Sequence, residues 1–221
     1  MKIHAYGDEY LENAQKNIGD MLDYAINTLG LDIEEFWKLF VYSPIAKQCE
    51  IGNPMYISGK NGCEIADAVL QSVGIESEKE HVLFLDKSPE YWCGWALAYY
   101  QWLMNIKYFK IQKAVSIKDV RRMYNTMHEA DISRLVFTIN EKMSEYYTET
   151  NLKFYRSNAG YSQRELAKEA QVPLRQIQMM EQRKRDINKM NFESVLKLAR
   201  VLRIEPEDLY EIDFKNNEDI E

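Results

Sequence analysis

Paired cysteines are missing from this chain of 221 residues: its three, Cys49, Cys63 and Cys93, are odd in number and none belongs to a C-x-x-C pair. That pattern fits free, buried thiols in a reducing cytosol and assigns none of them to catalysis or metal binding. No apolar run reaches the roughly 18 residues of a membrane span, and Met1 to Leu11 has no apolar signal core. A cytoplasmic protein without a membrane segment is therefore expected. Histidines are equally sparse. His4, His81 and His128 lie far apart, without metal-ligand spacing, and read as core or surface residues. Gly59-Lys60-Asn61-Gly62 lacks the G-x-x-x-x-G-K-[ST] pattern of a phosphate loop and reads as a turn. No nucleophile–base or carboxylate pair stands out between Met1 and Glu149, so no catalytic residue, cofactor or metal is expected. Repeats and low-complexity segments are absent too.

What is present is an ordinary globular composition, 46% hydrophobic and 29% charged, enough apolar material for one or two cores. The net charge of -7 argues against a chain that coats nucleic acid along its whole length. The charge is unevenly spread, however. Residues 150–212 carry 12 Lys+Arg against 9 Asp+Glu, while residues 1–149 carry 15 against 22. Within the C-terminal segment, Lys153 to Arg203 holds all 12 basic residues and only 5 acidic ones. A local basic stretch on an acidic chain is compatible with a compact DNA-binding unit beside a separate second function. It is equally compatible with a solvated helical surface.

Hydrophobic spacing predicts a mainly all-α chain. Ile18, Met21, Leu22, Ala25, Ile26 and Leu29 recur at helical spacing over Leu11 to Leu29, with Gly30 as the stop. Asp32 with Glu35 opens a second helix. The stretch from Ile51 to Gly62 reads as loop, Cys63 to Val73 as a third helix stopped by Gly74, and His81 to Leu85 as a short strand or buried loop. Ser88-Pro89 is a strong helix start, and the helix it opens carries Trp92, Trp95 and Trp102 and is apolar around most of its circumference. It is expected to be the central buried helix. Further helices are expected from Ser116 and from Ala130 to Tyr146. The domain boundaries drawn are 1–148, 149–212 and an acidic tail 213–221, of which Asn216 to Glu221 are expected to fray.

In the C-terminal segment the helix signals crowd together. Leu152 to Asn158 ends at Ala159-Gly160, and Ser162 with Glu165 forms a capping box for Gln163 to Ala170. Gln171-Val172-Pro173 makes a tight turn into Leu174 to Glu181. Asn191 caps Phe192 to Leu202, and Pro206 opens a last short turn to Tyr210. Two helices joined by a three-residue turn make a helix-turn-helix. The residues Leu152, Arg156, Gly160, Ser162-Gln163, Glu165-Leu166-Ala167, Ala170, Val172, Ile177, Glu181, Lys184-Arg185, Leu196, Leu198-Ala199, Leu202, Ile204 and Leu209 resemble, without a gap, the lambda-repressor-like or Xre-type family of transcriptional regulators.

That resemblance implies a five-helix DNA-binding domain whose third helix enters the major groove. Leu174, Arg175, Gln176 and Met179 are then the base-contacting candidates, with Gln178 beside them. Arg175 is the best of them, because guanidinium bonds guanine O6 and N7 together. Gln163 matches a family position that holds a backbone phosphate, and Arg183, Lys184, Arg185 and Lys189 become phosphate anchors. Arg156 and Glu181 match positions that form a partly buried structural ion pair. The chain departs from the family at two points. Arg183 stands where a glycine usually ends the third helix, which is expected to lengthen that helix by a turn. Pro173 and Leu174 replace small polar residues at its start, which weakens the N-cap. Double-stranded DNA is the expected partner, and a homodimer the expected state.

Two phrases of the N-terminal domain, Ser43-Pro44-Ile45-Ala46 with Gly52-Asn53-Pro54, and Ser88-Pro89-Glu90-Tyr91-Trp92-Cys93-Gly94-Trp95, resemble a module of bacterial antitoxin-like regulators. This implies a domain that binds a toxin protein through residues 1–148 while the C-terminal domain represses the shared promoter. A small-ligand sensor is the alternative. The aromatics Tyr91, Trp92, Trp95, Tyr99, Tyr100 and Trp102 read mainly as core, with some surplus for a partner groove.

Overall fold

The computed structural model describes residues 3–76, 79–81 and 86–214. Among them every regular element is helical. The expected strand or loop at His81 to Leu85 and the acidic tail from Asn216 lie outside the described residues, apart from His81 itself. The chain divides into two compact units, one whose described residues end at Met143 and one covering Ser144–Phe214.

The first unit is built on α1 (Leu11–Asp23) and α6 (Pro89–Met104). Around them lie α2 (Ile33–Val41), α3 (Pro44–Glu50), α4 (Pro54–Ile57), α5 (Gly62–Gln71), α7 (Tyr108–Ala114), α8 (Ile117–Met127) and α9 (Ile132–Tyr146), whose last turn passes into the second unit. Most helix starts are written locally. Asp32, Ser43, Asn53, Asn61, Ser88 and Ser116 each accept a backbone N–H of the first turn through their side chains. Prolines at the first helical position assist α3, α4 and α6.

α1 and α6 run antiparallel, because successive α1 residues meet α6 in reverse order. Gln15 donates to the Trp95 carbonyl at 3.5 Å, and Asp23 accepts from the Ser88 hydroxyl. Midway, the backbones come so close that a Cβ on Gly94 would stand 2.3 Å from the Ile18 carbonyl oxygen. Beneath this crossing α1 buries a polar stripe. Asn17 donates to the carbonyls of Ile57 and Lys60 at 3.1 and 2.8 Å. Asp20, nearly without exposure, accepts from Lys16 at 2.7 Å and Lys87 at 2.8 Å. A buried carboxylate needs such partners to offset its desolvation.

One expectation needs correcting here. The segment Ile51 to Gly62 is not all loop, since Asn53 and Pro54 start the one-turn helix α4. Past Asp23, α1 continues through Thr28 as a π-helical turn. The three cysteines are buried and form no disulfide, and burial raises their thiols to about 12 at Cys49, about 11 at Cys63 and about 12 at Cys93. No helix among the described residues is long and apolar enough to cross a membrane, and these residues bring no three His, Cys, Asp or Glu side chains together as metal ligands.

Candidate nucleic-acid interface

The second unit packs α10 (Asn151–Asn158), α11 (Gln163–Ala170), α12 (Leu174–Glu181) and α13 (Phe192–Leu202), with 3-10 turns at Ile187–Lys189 and Pro206–Leu209. The cluster Leu152, Leu166, Ala170, Val172, Ile177, Met180, Leu198 and Leu202 forms its core, with Ala167 half-buried against it. Ser162 and Glu165 close their capping box at 3.2 and 2.7 Å. Each therefore takes one N–H of the first turn of α11. The N–H groups of Gln163 and Arg164 are left pointing outward from the positive end of the helix.

The turn between α11 and α12 is made by Gln171 in the left-handed region, φ +53°, followed by the buried Val172. Pro173 then starts α12 without any side-chain cap, as expected from its missing polar group. Ile177 and Met180 face the core, so Arg175, Gln178, Met179 and Gln182 form the opposite stripe at i, i+3, i+4 and i+7 spacing. Arg175 and Gln182 are exposed, while Leu174, Gln176, Gln178 and Met179 are half-buried. Of the four base-contacting candidates, then, Arg175 alone is exposed. Gln176 and Leu174 sit on the flanks of the helix.

α12 does not run a turn longer than the family's. Its last residue is Glu181, and Arg183 takes the left-handed conformation itself, φ +55°. The Arg183 N–H bonds the Met180 carbonyl at 2.9 Å and the Lys184 N–H bonds the Met179 carbonyl at 2.8 Å. This is the double closure by which helices ordinarily end on glycine. Here an arginine bears the strain that glycine avoids.

The Arg183 side chain turns back into the unit, donating to the Thr148 carbonyl at 3.3 Å and reaching Glu211 at 3.5 Å. Glu211 also accepts the Asn151 N–H with its carboxylate and exchanges two backbone bonds with the Asn188 side chain, at 2.7 and 2.9 Å. Residues 210–211 thus fasten the start of α10 to the loop behind α12. Lys189 lies 3.7 Å from Asp186. Arg164, Arg175, Lys184 and Arg185 are exposed cations with no ion-pair partner among the described residues.

Three helices meet at one carboxylate. Arg156 of α10 donates to Glu181 of α12 through Nε at 2.5 Å and through a terminal nitrogen at 2.9 Å; its other terminal nitrogen holds the Tyr161 carbonyl at 2.7 Å. Gln163 of α11 adds a bond to the same carboxylate at 2.7 Å. The Arg156 side chain is 12% exposed and that of Glu181 3%. The bond to Glu181 holds the guanidinium above even its usual high pKa. One amide hydrogen of Gln163 is committed in this way, and the second remains for a ligand.

Residues 152–209 match the helix-turn-helix family model. This segment is a helix-turn-helix domain. Its family is one of DNA-binding transcription regulators rather than enzymes, and double-stranded DNA is the ligand that the helix-turn-helix domain serves. No curated protein and no solved structure matches the chain. Sequence reasoning passed over Gln182 and Arg164, although helical spacing from Arg175 and adjacency to Gln163 point to both.

Proposed function

We propose that this chain is a repressor that reads its own operator as a homodimer and whose N-terminal unit answers to a protein partner, in the manner of an antitoxin. The observation that carries the DNA half is the outward stripe of α12. It is headed by an exposed Arg175 with no partner among the described residues, and the free cations Lys184 and Arg185 follow directly behind. Arg175 reads bases, assisted by the half-exposed Leu174, Gln176 and Met179. Gln163, the free N–H groups at the start of α11, and Lys184, Arg185 and Lys189 hold phosphates. Arg183 belongs first to the Glu211 fastening and contributes less to DNA than its neighbours. Support for the partner half comes from the acidic balance of residues 1–149 and from the resemblance of the two N-terminal phrases to antitoxin-like modules.

The test is binding of the full chain to its own upstream DNA at two salt concentrations, beside co-purification with the products of neighbouring genes. Arg175→Ala is expected to lose about 1–3 kcal/mol on that DNA and to relax its preference. Unchanged, equally selective binding refutes the assignment. Absence of any stable protein partner, together with a small molecule that raises thermal stability, replaces the antitoxin reading with that of a ligand sensor.

A further inference from the structure

The first unit carries an open groove of about 540 Å³ between the start of α6, the end of α8 and the start of α9. Tyr91, Trp92 and Trp95 form one wall; Tyr124, Met127 and His128 form the other. Its rings are not passive filling. Trp92 meets Tyr124 edge to face at 5.7 Å, and His128 stacks on Tyr124 at 4.3 Å. Two of the walls already hold cations of the protein itself. The Lys87 ammonium lies 4.1 Å from the centre of the Tyr91 ring, and the Arg121 guanidinium 5.6 Å from that of Tyr124. Trp95, from the residue type whose ring attracts cations best, has no ring or cation contact among the described residues.

The charges of the rim decide what the groove selects. Lys87 shares Asp20 with Lys16, at 2.8 and 2.7 Å, with Asp23 beside them on Ser88, and Arg121 is paired with Glu90 at 2.6 Å, so neither cation of the lining repels an incoming one with its full charge. Glu129 and Asp131 flank the lining residue Ala130 on the turn between α8 and α9. The Glu129 side chain is 89% exposed, with only a 3.6 Å approach to His128, and Asp131 is exposed. Like these two carboxylates, Arg134, the next cation of this corner, lies outside the lining itself. Two carboxylates against one guanidinium leave this edge of the groove negative, and residues 1–149 as a whole carry 22 Asp+Glu against 15 Lys+Arg.

We infer that this groove receives an arginine side chain presented by a segment of the protein partner, its guanidinium laid on Trp95 and Trp92 and facing Glu129 and Asp131. The inference rests on the partner-binding reading above and names its surface. The volume, within the ordinary range for recognition pockets, leaves room for residues beside the arginine.

The probe is the peptide acetyl-Gly-Arg-Gly-Arg-Gly-amide against its citrulline counterpart, which keeps shape and loses charge. The readout is the four indole N–H resonances of the full-length protein. Trp37 and Trp102, 1% and 6% exposed, serve as internal references. The arginine peptide is expected to shift the Trp92 and Trp95 signals alone and to bind about tenfold more tightly than the citrulline peptide. Glu129→Lys combined with Asp131→Asn, which keeps the cap that Asp131 gives Ser133, is expected to weaken it at least about fivefold with thermal unfolding unchanged. Equal binding of both peptides, or no shift at Trp92 and Trp95, overturns the inference. So does binding of free arginine methyl ester as tight as that of the peptide, which makes the site one for small molecules. DNA binding is untouched by any of these outcomes and stands or falls on the operator experiment.

Discussion

Arg156 and Glu181 are joined by two hydrogen bonds, at 2.5 and 2.9 Å, across the helix-turn-helix domain, and the carboxylate is all but sealed from water. Taking away one partner strands the other's charge. Arg156→Ala is expected to cost about 3 kcal/mol of domain stability, read as a loss of cooperative thermal unfolding of the C-terminal unit. Replacing both residues with methionine is expected to recover most of that loss. A single substitution that leaves the transition in place would show the pair to be dispensable.

Gln171 and Arg183 hold left-handed backbone on either side of α12. Gln171 is exposed and its side chain makes no hydrogen bond among the described residues, so it is the cleaner probe. Gln171→Gly is expected to stabilise the domain by up to about 1 kcal/mol, and Gln171→Val to destabilise it by more, since a branched Cβ suits that conformation least. Denaturant midpoints of the two variants, measured side by side, decide the matter. Lower stability in the glycine variant would place the strain elsewhere.

The salt dependence of DNA binding separates anchors from readers. Changing Lys184, Arg185 and Lys189 together to alanine is expected to flatten the slope of log affinity against log salt by about 2–3 without altering sequence preference. Arg183→Ala alone is expected to move the slope least, because its side chain serves Thr148 and Glu211.

Glu50 gives the N-terminal unit a pH dependence. Its carboxyl accepts the Tyr108 N–H at 2.6 Å. Burial raises it from 4.5 to about 7, against the opposing pull of that bond and of Lys107 and Lys47. The folded state thus holds this proton more tightly than the unfolded chain does. The stability so gained is fully present below pH 4.5 and lost as the pH rises through about 7. Glu50→Gln is expected to match the native melting temperature near pH 5 and to exceed it by several degrees above about pH 8. Parallel melting curves for both proteins across that range would refute the assignment.

Gly94→Ala is expected to disrupt the first unit, because the new methyl would meet the Ile18 carbonyl at 2.3 Å and that backbone has nowhere to go. A cost of about 2–3 kcal/mol or more is expected in denaturant unfolding.

Where the sequence carries its signal locally, the fold is legible in it. The capping box at Ser162 and the turn at Gln171 to Pro173 put the ends of α11 and α12 where the structure has them. Ser88-Pro89 did the same for α6. α3 opens on the same Ser-Pro signature at Ser43, but its seven residues are too few for periodicity to stand out. α7 has no local cap at all. Its first N–H is held by Glu50, 58 residues earlier, and no window along the chain can show that. Among the site residues, helical spacing gave the exposed Arg175. The diversion of Gln163 to Glu181 and of Arg183 to Glu211 depends on tertiary neighbours and left no mark in the sequence.

The fastening at Glu211 also bears on the order of events during synthesis. Domains fold largely in the order in which they emerge. The described residues of the first unit, which end at Met143, are therefore made before α10 to α13. The start of α10 and the loop behind α12 are tied together only once residue 211 is available. The helix-turn-helix segment, residues 152–209, is thus fully fastened only after two residues beyond it have been made.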